Sequence, residues 1–141
     1  MKLLFSGNNA FLEIDVQSYQ HPNSTNTSDS NWLSCKVLCQ IDSLGVRESL
    51  SLETYDFVEL QKSILAFNAH ISDTIEFSTI EEQLCFTIKR NPKCLVIEGK
   101  ISAMPPTYGV FTFKFEAETL AFSTIEALEN ITLNFPIVGQ Q

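Results

Sequence analysis

One stripe of apolar side chains does most to restrict what this chain can fold into. Over 52–68 the residues Phe57, Leu60, Ile64 and Phe67 follow one another at steps of three, four and three. That spacing lines them along one face of a helix, which Val58 and Leu65 widen. Thr54 has the chemistry of an N-cap, Asp56 and Glu59 lie near the positive end of the helix dipole, and Asn68 is a stop signal. A helix of about four turns does not hold together alone in water, so its stripe must lie on another element. Nearly every other stretch alternates with period two. The expected fold is therefore α+β and mainly antiparallel β-sheet, a sandwich or a strongly curled sheet, with one central helix at about 55–67.

In chain order, 10–16 sets Leu12, Ile14 and Val16 against Glu13 and Asp15, a strand with one wet, acidic face. The stretch 19–31, YQHPNSTNTSDSN, is so rich in Ser, Thr, Asn and Asp that it is expected to be a long surface loop, mobile at its centre. Asp29-Ser30-Asn31-Trp32-Leu33 then leads into a strand in which Leu33, Cys35, Val37, Cys39 and Ile41 share a face. A turn over 43–46 and an antiparallel partner over 46–52 follow. Beyond the helix come alternating segments at 74–78, 81–89, 95–101 and 108–116. Asn91-Pro92 and Met104-Pro105-Pro106 supply two of the turns. The last of these strands carries Phe111, Phe113 and Phe115 on one face, an aromatic stripe expected in the core rather than as a platform for bases. In the C-terminal stretch, Ser123 and Glu126 have capping-box spacing and Ile125, Leu128 and Ile131 share a helical face, whereas Ile131, Leu133 and Phe135 alternate like a strand. A short helix beginning near Thr124 is favoured, with Pro136 ending the ordered chain. Trp32 is expected to close one end of the core with its N–H bonded to backbone; the other reading of a strand-start Trp is an anchor for a partner.

Composition narrows the function classes. The 141 residues are expected to form a single domain over 1–141, and 44% apolar residues with eleven Phe suffice for a core. Seventeen acidic against nine basic side chains leave a net charge of −8, a field that repels phosphate backbones and disfavours direct nucleic-acid binding. Only Leu3 to Phe5 are apolar near the start, too few for a secretory core, and no run is long enough to span a bilayer, so a cytoplasmic location is expected.

The four cysteines form no C-x-x-C pair, and with two histidines they offer no metal-ligand set, so no metal and no cofactor are expected. Cys35 and Cys39 share a strand face but lie roughly 13 Å apart along it, too far to bridge. Cys35, Cys39 and Cys85 are expected to be buried reduced thiols, with Cys94 more accessible. A catalytic cysteine would need a nearby histidine, and only His21 and His70 are on offer. Glu81 with Glu82, or Glu116 with Glu118, could pair as acid and base only if they shared a face. Adjacent strand residues do not, and Glu116 and Glu118 are expected to be a solvated rim. No catalytic residue is therefore assigned.

DSNWL at 29–33 with the alternating strand behind it, the TYDFVELQKSILAF helix, FSTIEEQLCFTI at 77–88, and the phenylalanine strand closing on ETL at 118–120 together resemble the WapI-type bacterial immunity proteins. The order of these features matches over about 1–136. The resemblance implies an antidote made beside a contact-delivered polymorphic toxin, one that neutralises a cognate toxin domain inside the cell by binding it. The chain differs at Ala117-Glu118, where the family often carries Asp-Gln. On this reading Asn31, Trp32 and Leu33, with the helix stripe, are motif and core residues. The outward carboxylates Glu13, Asp15, Glu116 and Glu118 are the candidate partner-binding set, chosen from alternation alone. Toxin domains that cut nucleic acid tend to be basic, which suits an acidic antidote acting as a monomer or weak homodimer. A structural or assembly subunit is the alternative, and a small enzyme using paired carboxylates the remoter one.

Overall fold

The computed structural model describes residues 1–103 and 109–139. The Met104-Pro105-Pro106 turn and the start of the last strand at Tyr108 lie outside the described residues. Among those described, two four-stranded antiparallel sheets face each other. The first takes β1 (Lys2–Gly7), β2 (Ala10–Tyr19), β3 (Trp32–Ile41) and β4 (Leu44–Glu53) in chain order. The second takes β5 (Thr74–Ser78), β6 (Leu84–Arg90), β7 (Leu95–Ser102) and β8 (Val110–Ala117), also in order. The single turn α1 (Thr27–Ser30), the central helix α2 (Thr54–Asn68) and α3 (Phe122–Asn134) complete an α+β fold in which the described residues form no closed barrel. No helix among the described residues is long and apolar enough to cross a membrane.

Alternation does what period two requires. In the first sheet Leu3, Phe5, Leu12, Ile14, Val16, Leu33, Cys35 and Val37 turn inward and are buried, and in the second so do Ile75, Phe86, Ile88, Ile97 and Phe115. The sheets meet through aromatic contact: the Phe5 ring lies 5.4 Å from Phe86, which stacks on Phe77 at 4.9 Å. They approach closely beside Gly7, where any β-carbon would run into the Glu116 carbonyl and the Phe115 ring. There Asn8 N–H donates to Glu116 O at 3.2 Å.

α2 carries the chain from the first sheet to the second and packs on β5, with Phe57, Leu60, Ile64 and Phe67 all buried. Three details differ from the sequence reading. Leu65 is 58% exposed and Val58 only half-buried, so the stripe is narrower than expected. The N-cap is Glu53, whose backbone N–H is taken by Asp56 Oδ2 at 2.7 Å; Thr54 is already inside the first turn and buried. And Lys2–Gly7 is a strand, not just a short apolar run, since within Leu3-Leu4-Phe5 an alternation turns Leu4 out.

Within the 19–31 segment the chain forms the turn α1, where Asn26 Oδ1 caps the turn by accepting from Ser28 N–H at 2.9 Å and Ser30 Oγ donates to Asn26 O and Ser24 O. The hairpin between β3 and β4 turns at Asp42 (φ 52°) and Ser43, earlier than 43–46. β6 begins at Leu84 rather than at 81, since 79–83 is a turn with Glu82 at φ 53°. α3 starts after Ala121 without a Ser123–Glu126 box; Thr124 Oγ1 instead donates to Leu4 O at 2.6 Å, which places the helix over β1. Leu128 and Ile131 are buried and Leu133 is exposed, so the helical period prevails over the strand alternative. The chain does not stop at Pro136, whose carbonyl accepts from Tyr19 Oη at 2.7 Å, and Val138 is docked beyond it.

Candidate partner-binding surface

The four carboxylates singled out by alternation do not form one surface. Glu13 and Asp15 stand on the outer face of the first sheet, where Asp15 lies between Lys2 and Lys36 in register and pairs with the N-terminal amine at 3.3 Å. Lys2 Nζ reaches Glu13 at 4.0 Å. Glu116 is exposed on the outer face of the second sheet, the opposite side of the sandwich. β8 ends at Ala117, so Glu118 no longer alternates with it, and its side chain lines a pocket of about 400 Å3 with Arg90, Lys93 and Cys94.

That pocket lies at the C-terminal end of β6 and is dominated by Arg90. Its guanidinium lies 4.0 Å above the Phe67 ring, donates to Phe67 O at 2.9 Å and meets His70 Nδ1 at 2.6 Å. His70, Cys94 and Glu118 thus share a pocket, but the His70 nitrogen faces the guanidinium rather than a thiol. Cys35 and Cys39 are buried, and burial pushes their thiols up to about 12 and about 11, the character of small hydrophobes rather than nucleophiles. Cys85, expected in the core, instead faces out on β6, half-buried beside Ser78 Oγ at 3.4 Å. Among the described residues no group of three or more His, Cys, Asp or Glu is placed to hold a metal ion. Glu81 and Glu82 sit in a turn, and Glu81 Oε2 accepts from Gln83 Nε2 at 2.9 Å.

The other end of β6 holds the motif residues, and they divide by role. Leu33 is core. Asn31 is 2% exposed and its side chain joins three parts of the chain. Its Nδ2 donates to Thr27 O at 2.7 Å and to Val138 O at 3.1 Å. Its Oδ1 accepts from Thr54 Oγ1 at 2.7 Å and from Val138 N–H at 2.8 Å. Trp32 is not the core plug expected from its position. Because Leu33 points inward, Trp32 points outward, half-buried in an open groove of about 280 Å3.

The walls of the groove come from segments distant in sequence. Asp29 and His21 line it together with Gln20, whose Nε2 donates to Ser51 Oγ at 2.8 Å, and with Glu81 and Gln83 from the β5–β6 turn. Trp32 faces Glu53 across the β3–β4 register. DSNWL and FSTIEEQL, two of the segments carrying the resemblance, therefore border one groove. Nothing in either segment's local pattern signals that meeting, which depends on how the second sheet closes over the first.

The architecture is that of an α+β two-sheet protein with two of its recognisable motifs bordering one groove. A family model described as the immunity protein WapI-like family matches residues 3–136, nearly the whole chain. The chain belongs to the WapI-like immunity protein family, and its role is immunity, which implies a toxin protein as partner. Neither among curated proteins nor among solved structures does anything match.

Proposed function

We propose that the protein neutralises a cognate toxin domain by stoichiometric binding, that this domain is a basic, nucleic-acid-cutting one, and that the encounter takes place in the cytoplasm of the cell it protects. Family membership over residues 3–136 carries this reading, and the net charge of −8 supports the sign of the partner. Glu13, Asp15, Glu116 and Glu118 contribute as parts of the long-range field, from both faces of the sandwich, rather than as one contact patch. One chain acts per toxin domain, with no turnover.

The test is protection as a function of ratio. Titrating the protein against the active toxin domain should abolish toxicity at about one copy per toxin, and full protection at strongly substoichiometric protein would establish catalysis and end the binding proposal. Neutralising the four carboxylates together should slow association more than it speeds dissociation, by a margin that shrinks as salt rises. Equal effects at low and high salt would remove them from the steering field.

A further inference from the structure

We infer that the Trp32 groove is the docking surface for a cationic loop or strand of the toxin domain, with an arginine side chain over the indole. The inference rests on the proposal that the protein acts by binding a toxin, and it locates that contact.

Four observations converge. Trp32 contributes nothing that the inner face of β3 does not already supply through Leu33, Cys35 and Val37, yet it places the chain's single indole on the outer surface. Exposed aromatic area of this kind is what protein interfaces use as an anchor. The walls are built in advance: Asn26 and Ser30 brace the turn bearing Asp29, Gln20 is bonded to Ser51, and Gln83 holds Glu81. A partner therefore has little ordering to impose.

Charge then selects the partner. Asp29 and Glu81 line the groove, Glu53 lies across from Trp32, and among the described residues no Lys or Arg lines it. The sheet faces elsewhere are mixed: Lys2, Lys36 and Arg47 are interspersed with Glu13 and Asp15, while Lys89, Lys100 and Lys114 offset Glu76, Glu98 and Glu116. The pocket at the far end of β6 sets Arg90 and Lys93 against one carboxylate, Glu118, and suits a cationic segment less well. Finally, Ile80, next to Glu81 in the same turn, is 73% exposed and offers an apolar contact near that carboxylate. A guanidinium suits this combination best, because its flat face stacks on indole while its edge forks to a carboxylate.

The single Trp makes the test direct. The full chain is labelled with 5-fluorotryptophan and titrated with the toxin domain it protects against, prepared as a catalytically inactive protein. The one fluorine resonance should shift on binding, and Trp32→Ala should weaken binding by about 30-fold or more, with Trp32→Phe weakening it less. Asp29→Asn with Glu81→Gln should weaken it about tenfold and flatten its salt dependence, whereas Glu76→Gln with Glu98→Gln on the second sheet should leave affinity within about twofold. Unfolding midpoints of all variants should stay near wild type, since none of these side chains lies in the core. If the wild type binds one to one while the resonance stays put and the groove variants retain affinity, the docking surface is elsewhere and the immunity proposal survives. If the wild type does not bind the toxin domain at all, both fall.

Discussion

Asn31 shows how much a single polar side chain can organise. Its amide uses two donors and two acceptor positions on Thr27, Thr54 and Val138, which fastens α1, the start of α2 and the C-terminal segment to one buried point. Replacing it with Ala leaves several of those groups buried without partners and should destabilise the fold by roughly 2–4 kcal/mol, measured by urea denaturation. Thr54→Val should cost much less in an Asn31→Ala background than in the wild type, because the two share a bond. Asp56 offers a second test. Burial is the main cause that lifts its carboxyl from 3.8 to about 6, with the neighbouring Glu53 adding to the rise and the bond from Glu53 N–H opposing it. A folded-state value above the unfolded one means that this group favours folding most below about pH 4, and that the contribution is lost as pH rises through about 6. Asp56→Asn keeps an acceptor for Glu53 N–H and removes the charge, so its stability relative to wild type should rise between pH 4 and pH 7. A difference constant across that window would show that burial does not hold the proton.

At the scale of elements, α2 stands or falls by its stripe. Leu60 is 1% exposed, and Leu60→Ala should cost roughly 2–5 kcal/mol, whereas Leu65→Ala on the exposed side should change the unfolding midpoint little. The helix was legible from spacing because period 3.6 is a local property of the chain. Its cap was not: Thr54 has the better capping chemistry, but its hydroxyl is drawn to Asn31, twenty-three residues upstream, and Glu53 takes the cap position instead. The tail makes the same point. Removing 136–141 deletes the bonds from Tyr19 Oη and Asn31 to that segment and should raise amide exchange over 27–31 before it lowers global stability.

For the whole molecule, the two sheets share one core through Phe5 and Phe86, and the chain is proposed to unfold as a single unit. Fluorescence of Trp32, on the first sheet, should then follow the same denaturation curve as far-ultraviolet circular dichroism, which reports both sheets. Separate midpoints would mean that each sheet folds by itself.

The amino-acid sequence alone determined the α+β class, the central helix, most of the strands, and, through the order of its motifs, the family. Each of these follows from side-chain periodicity or from residue order, which need no partner elsewhere in the chain. Only the tertiary structure decided which carboxylates stand together and where Trp32 points in relation to them. Alternation says that Glu13 and Glu116 face outward, but outward on two facing sheets means opposite directions, and so the set chosen from alternation is divided between two sides. Asp29 and Glu81 carry no shared period and are fifty-two residues apart. They border one groove because the β5–β6 turn reaches the rim of the first sheet once the two inner faces have buried each other, a consequence of packing that no local pattern encodes.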